Sequence, residues 1–332
     1  MSNLRTSLLA TLLLVLAILA PMSGPAELWR EDFSADPRTR GWYVHGDSSH
    51  FRWNEGANRL GVTWDSLRPN AFFHLPLPTV LTRAESFRFR FTLVLDDIAT
   101  ESPEATFPLA LGLIGRTQAF SPASFRGAGI HPTWGSRNLL EFAYFPPSTT
   151  ITPTFSTVAV ATNNTRWATL DLFPLELDTG ATYDIEVRHD ATAFTLSLRA
   201  LRNGLPFAEG VKALSSGFGD FRLDAFSVTS YSGDHQPAAY GGQMLAHGFV
   251  DDLELEFPAP PRPILEVLAP GGLPRISLPS IPSWTAFLER RDGDVSWVTI
   301  PVAAESSSGR WSFTDPFPPT DSALYRVRLE RP

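Results

Sequence analysis

The chain contains no cysteine and a single lysine, Lys212, and no stretch combines helical period with helical length. Without thiols the chain cannot be stapled by disulfides or lipidated on sulfur, so packing or a bound metal must supply its stability. Basic residues are also in deficit. Lys plus Arg number 27 against 35 Asp plus Glu, a formal charge of −8. The arginines are scattered among acids, which argues against a nucleic-acid partner, because a binder needs a basic patch that outweighs phosphate repulsion. Long apolar runs are missing after the first twenty residues. That leaves no spanning segment and no membrane partner once the leader is removed.

What is present begins with that leader. Arg5 is a charged n-region, Leu8 to Ala20 (LLATLLLVLAILA) an apolar core, and GPA ending at Ala26 a small-residue cleavage site. The core falls short of the roughly 18 to 20 apolar residues of a membrane span, so residues 1–26 read as a signal peptide cleaved before Glu27. The expectation is export to the periplasm, the cell surface or the medium.

The 23 Gly and 29 Pro suit frequent turns between short strands. With 43% hydrophobic residues in 332, the chain can bury two cores. From Leu28 to Phe257 short apolar-alternating runs are separated by turn residues, the pattern of an all-β sandwich. In ESFRFRFTLVL, Phe87, Phe89, Phe91, Leu93 and Leu95 fall on one face, and Arg88, Arg90 and Thr92 on the other. Tyr183, Ile185 and Val187 alternate with Asp184, Glu186 and Arg188 before a tight HDAT turn. FPLALGLI (107–114) and STVAVAT (156–162) lack alternation and belong in central strands covered on both faces. At most FAEGVKAL makes one helical turn. FPAPPRP (257–263), with four prolines, cannot supply ladder donors, which sets a first domain at 27–257, a linker at 258–263 and a second domain at 264–332. Five or six strands fit the last stretch, with Asp292 to Asp294 as a hairpin turn.

Two resemblances follow from these residues. The opening EDFSAD…GW, the TYDIEV…TLSLRALRNG hairpin and the closing AHGFVDDLELEF resemble the jelly roll of concanavalin A-like proteins: laminin-G-type modules, lectins and family-16-type glucanases. FLERRDGDVSWVTI, WSFTDP and SALYRVRLE are similar to the later strands of a fibronectin type III module, with Tyr325 at the place of its corner tyrosine. The pair resembles secreted bacterial surface or polysaccharide-associated proteins. It implies an all-β chain, a jelly-roll β-sandwich followed by a small fibronectin-like sandwich, with a binding or adhesion role and a polysaccharide or cell-surface glycan as partner.

VTWDSLRPNAFFHLPL (62–77) crowds polar and aromatic groups around what reads as a chain reversal. Strand period places Trp64 in the core and leaves Asn70, Phe72 and His74 outward, with Asp65 and Arg68 in the turn. A pyranose offers an apolar C–H face for stacking and hydroxyls that need directional partners, so Arg68, Asn70, Phe72 and His74 are candidate ligand residues, with Trp134 in HPTWGSRN as a second platform. The competing reading is a scaffold in which Asp65 pairs with Arg68 and Phe72 packs under a loop.

Asp252, Glu254 and Glu256 share one face of DDLELE. The glucanase resemblance implies a hydrolase in which Asp252 and Glu256 take the paired carboxylate roles, although the order Asp-x-Glu-x-Glu departs from the family's Glu-x-Asp-x-Glu. A solvated acidic face is the alternative. Asp32 and Asp251 or Asp252 would meet if first and last strands are neighbours, a candidate structural calcium site, and Asp96, Asp97, Glu101 and Glu104 form a second acidic group. No other cofactor is implied. No phosphate loop, Gly-x-Ser-x-Gly or His-Glu-x-x-His occurs. A purely structural envelope or matrix component is the third reading, and oligomeric state is not legible.

Overall fold

Two-residue rhythm becomes layered structure directly. A computed structural model describes residues 26–100, 109–120, 138–146, 155–161, 167–216, 218–233, 243–259, 265–268, 273–280, 284–292, 296–307, 309–319 and 323–330. The chain divides into two units, Met1–Ala259 and Pro260–Pro332.

Strands of the first unit are β1 (Ala26–Glu31), β2 (Tyr43–His45), β3 (Phe51–Asn54), β4 (Arg59–Asp65), β5 (Ala71–Leu81), β6 (Phe87–Thr100), β7 (Leu109–Ile114), β8 (Leu139–Phe145), β9 (Phe155–Ala161), β10 (Trp167–Leu172), β11 (Thr182–Asp190), β12 (Thr195–Arg202), β13 (Leu205–Ala213), β14 (Leu223–Ser230) and β15 (Met244–Pro258). One helical turn, α1 (Arg116–Ala119), follows β7. An eight-stranded sheet runs β13-β12-β11-β6-β15-β4-β3, with β1 also on β15. A seven-stranded sheet runs β10-β9-β8-β7-β14-β5-β2. All these pairings are antiparallel, and the two sheets form the jelly-roll sandwich.

The core lies between them. Phe87, Phe89, Phe91, Leu93 and Leu95 bury one face of β6, joined by Tyr183, Ile185 and Val187 from β11 and met by Phe73, Phe142, Phe226 and Val228 from the other sheet. All six residues of β7 are buried, in keeping with its unbroken apolar run in mid-sheet. The EDFSAD…GW segment closes one end of the core. Glu31 is buried there and accepts hydrogen bonds from Phe33 N–H at 2.8 Å and Trp42 Nε1–H at 3.0 Å, with Arg40 against its other side. Trp42 in turn stacks on Phe73 at 4.8 Å.

Two local readings are corrected. FAEGVKAL is not a helical turn but part of β13, because pairing with β12 satisfies its backbone. Among the described residues the one α-helical turn is RTQA, closed when Phe120 N–H bonds back to the carbonyl of Arg116. Residues 62–77 are not a hairpin: β4 belongs to the eight-stranded sheet and β5 to the seven-stranded one, so residues 66–70 carry the chain across the sandwich. Alternation gives each arm a buried face, and both Trp64 and Phe73 reach the same core from opposite sheets. The HDAT turn does return the chain: Asp190 accepts from Thr192 N–H and Ala193 N–H, and β11 pairs with β12.

The second unit contains β16 (Glu266–Leu268), β17 (Arg275–Pro279), β18 (Thr285–Asp292), β19 (Val298–Thr299), β20 (Glu305–Ser307), β21 (Arg310–Thr314) and β22 (Ala323–Glu330). Sheets β16-β17-β21-β20 and β19-β18-β22 share a core of Ile276, Leu278, Ala286, Leu288, Ile300 and Phe313. Asp315 is buried in this unit and accepts hydrogen bonds from Arg290 Nη1 at 2.8 Å, Tyr325 O–H at 2.9 Å and Phe317 N–H at 2.9 Å. Tyr325 is thus an anchor for a buried carboxylate.

Candidate functional site

The outward face of the seven-stranded sheet is polar, yet much of it is dry. Register aligns Tyr43, His74, Ser227, Gly112, Glu141, Ala159 and Thr169 in one transverse row over β2, β5, β14, β7, β8, β9 and β10. Exposure falls along it from 58% at Tyr43 to 6% at His74 and 0% at Ser227 and Glu141. A neighbouring row brings His45, Phe72, Thr229, Ala110, Ala143 and Thr157 side by side. Small residues on β7 have a use here. Tyr231, which follows β14, reaches over β7 and donates its phenolic hydrogen to Glu141 Oε1 on β8 at 2.6 Å. A side chain at position 112 would collide with the Leu140 carbonyl, since an added Cβ would sit 2.3 Å from it.

The β2 end of this face is open. Tyr43 and His45 are exposed, and Phe120, brought in by α1, stacks in parallel on His45 at 4.2 Å and meets His74 edge-on at 4.8 Å. The Tyr43 ring lies 6.0 Å from His74. Desolvation is the main cause that pulls the His74 imidazole down to about 4, and the Arg116 and His45 charges act in the same direction. It is therefore neutral near pH 7, with its Nδ1 buried, and a contact with the Phe72 backbone opposes the downward shift. Arg116 is held beside it by Asp224, which accepts from Arg116 N–H at 2.8 Å and pairs with the guanidinium at 3.2 Å. An exposed aromatic face next to the exposed His45 imidazole can stack one side of a sugar ring and bond its hydroxyl.

Only part of the expected stripe comes together here. Phe72 and His74 do lie on the outward face, but Phe72 is not an exposed platform: it is 2% exposed, packed edge-on against Phe120 and Tyr231. Asn70 sits on the crossover, where its Oδ1 accepts from Ser232 N–H at 2.7 Å. Arg68 is exposed there, 3.7 Å from both Asp47 and Asp65, the pairing of the scaffold reading. Trp134 lies outside the described residues, as do Glu101 and Glu104. Tyr43 and His45 were missed, although their alternation about Val44 in GWYVHGD puts both on one strand face.

On the acidic strand both glutamates face arginines. Glu254 is bracketed by Arg30 at 2.9 Å and Arg90 at 2.7 Å, and Glu256 is paired with Arg88 at 2.5 Å. Both are occupied as ion-pair partners. Asp252 does not continue their spacing, because β15 holds one extra residue where Asp251 opposes Thr92 and Glu254 opposes Arg90. Asp32 lies near Asp251, whose carboxyl is raised by burial and then by Asp252 and Asp32. Asp32 itself is lowered to about 2 by hydrogen bonds from Ser34 and then Arg40. Asp32 Oδ1 accepts from Ser34 N–H, Ser34 O–H and Arg40 Nη1. No group of three or more metal-ligating side chains occurs among the described residues. Asp97 pairs with His247 at 2.9 Å.

No family model matches the chain, and no curated protein is similar to it. Among solved structures it is similar to peanut lectin with a 9mer peptide, at 14% identity and a TM-score of 0.48, over 70% of this chain and 98% of that one. It is also similar to lectin I of Ulex europaeus in complex with a methyl glycoside of α-L-fucose, at 11% identity and a TM-score of 0.43, over 71% and 98%. An alginate lyase, Aly36B, gives 10% identity and a TM-score of 0.43 over 70% and 96%.

Proposed function

We propose that the first unit is a non-catalytic glycan-binding module of an exported protein, with the second unit, a fibronectin-like tail, as spacer or docking element. The binding site is the β2 end of the seven-stranded sheet. Tyr43 stacks on the ring of a polysaccharide or cell-surface glycan, the exposed His45 supplies a directional hydrogen bond, and His74 and Phe120 brace the platform. The single observation that carries this reading is the 58% exposed Tyr43 on the same face of an edge strand as the exposed His45, whose ring is stacked on Phe120.

The test is a glycan array followed by titration calorimetry on the full chain. A glycan that binds should lose about tenfold or more in affinity with Tyr43→Ala, and His45→Ala should weaken it further without a change in far-UV circular dichroism. Failure to bind any polymer, or binding indifferent to both substitutions, contradicts the reading.

A further inference from the structure

The outer face of the eight-stranded sheet carries a row of alternating charge. Arg30, Glu254, Arg90, Glu186, Arg199 and Glu209 stand opposite one another on β1, β15, β6, β11, β12 and β13. Several of these charges are already matched. Arg30 and Arg90 share Glu254, and Arg88 from the adjoining row takes Glu186 at 3.0 Å. Arg199 has no ion pair among the described residues, and neither do the carboxylates of Asp184 and Asp252. These three groups, none of them held in an ion pair, line one groove of about 420 Å³ together with Arg90, Thr92 and Glu186.

That volume is within the about 300 to 1,000 Å³ of small-molecule sites. Asp252 reaches the groove because the extra residue in β15 holds it at φ 46°, in the left-handed region. Asp184, on the far side, accepts the Thr92 hydroxyl at 3.0 Å. Two carboxylates therefore flank Thr92 from strands on either side of β6, a backbone separation of about 9 to 10 Å. An anionic ligand meets net repulsion there, and a neutral one leaves both carboxylates unmatched. A protonated amine seated over Thr92 matches both. Phe91 and Ile185 turn their side chains into the core, whereas half-buried Leu201, opposite Asp184, gives the groove an apolar patch for the C–H face of a ring. Ring hydroxyls, in contrast, find Arg199 and Glu186.

We propose that this groove binds an amine-bearing saccharide, a hexosamine unit with a free ammonium, through Asp184 and Asp252, with Arg199 on its hydroxyls. The site is separate from the Tyr43 platform and does not rest on it. Titration calorimetry of the full chain with glucosamine oligomers, their N-acetylated counterparts and oligolysine tests it. The expected result is binding of the glucosamine oligomer alone, weakened at least fivefold by Asp252→Asn, abolished by Asp184→Asn with Asp252→Asn, and weakened by added salt. Circular dichroism confirms that these surface variants fold. No binding of the amine oligomer, equal binding of the N-acetylated oligomer or of oligolysine, or an unaffected double variant overturns the proposal. Tyr43→Ala probes the other site, so the two readings can fail separately.

Discussion

Tyr231 donates its hydroxyl hydrogen to Glu141 at 2.6 Å, across an intervening strand and ninety positions of sequence. Glu141 is fully buried, and a buried carboxylate that loses a donor bears its desolvation cost. Tyr231→Phe is expected to destabilise the protein by about 1 to 3 kcal/mol in urea unfolding. In a double-mutant cycle, adding Glu141→Gln should cost less than the sum of the single effects.

Burial favours the neutral form of His74, lowered to about 4, and of His189, also lowered. The unfolded chain protonates its histidines near about 6.5. Their contribution to stability is thus complete above that value and is lost as pH falls from about 6.5 toward the folded value. The thermal midpoint should drop over this window, and the His74 imidazole resonance should show no titration between pH 7 and 5.5.

Asp252 is a non-glycine residue at φ 46°. Asp252→Gly relieves left-handed strain and is expected to leave the thermal midpoint unchanged or raise stability by about 0.5 to 1 kcal/mol. A clear fall in stability would show that the carboxylate serves the fold rather than the groove.

In the second unit, Asp315→Ala removes one carboxylate partner of Arg290, which keeps Asp292 at 2.9 Å, and the acceptor of Tyr325. A loss of about 1 to 3 kcal/mol is expected. Tyr325→Phe should cost about 1 kcal/mol, read from denaturant unfolding.

Strand rhythm made the sandwich legible, because each face assignment in 87–95 follows from side-chain alternation alone. Alternation does not say which sheet a strand joins, so 62–77 read as a reversal when it is a crossing. Nor does it register an inserted residue: the bulge at Asp251 and Asp252 alters the spacing of an acidic run that looked regular. Phe72 and His74 were visible as outward positions, but their burial depends on Phe120 and Tyr231, far along the chain. The Tyr231 to Glu141 bond and the pairing of Tyr43 with His74 have no local signature at all.

The most direct test of the glycan site is an NMR titration that follows the imidazole and aromatic resonances of Tyr43, His45 and His74 as a binding saccharide is added. Saturable shifts at these three, largest at the exposed Tyr43 and His45, are expected. Binding by the protein with all three resonances unmoved would contradict the account.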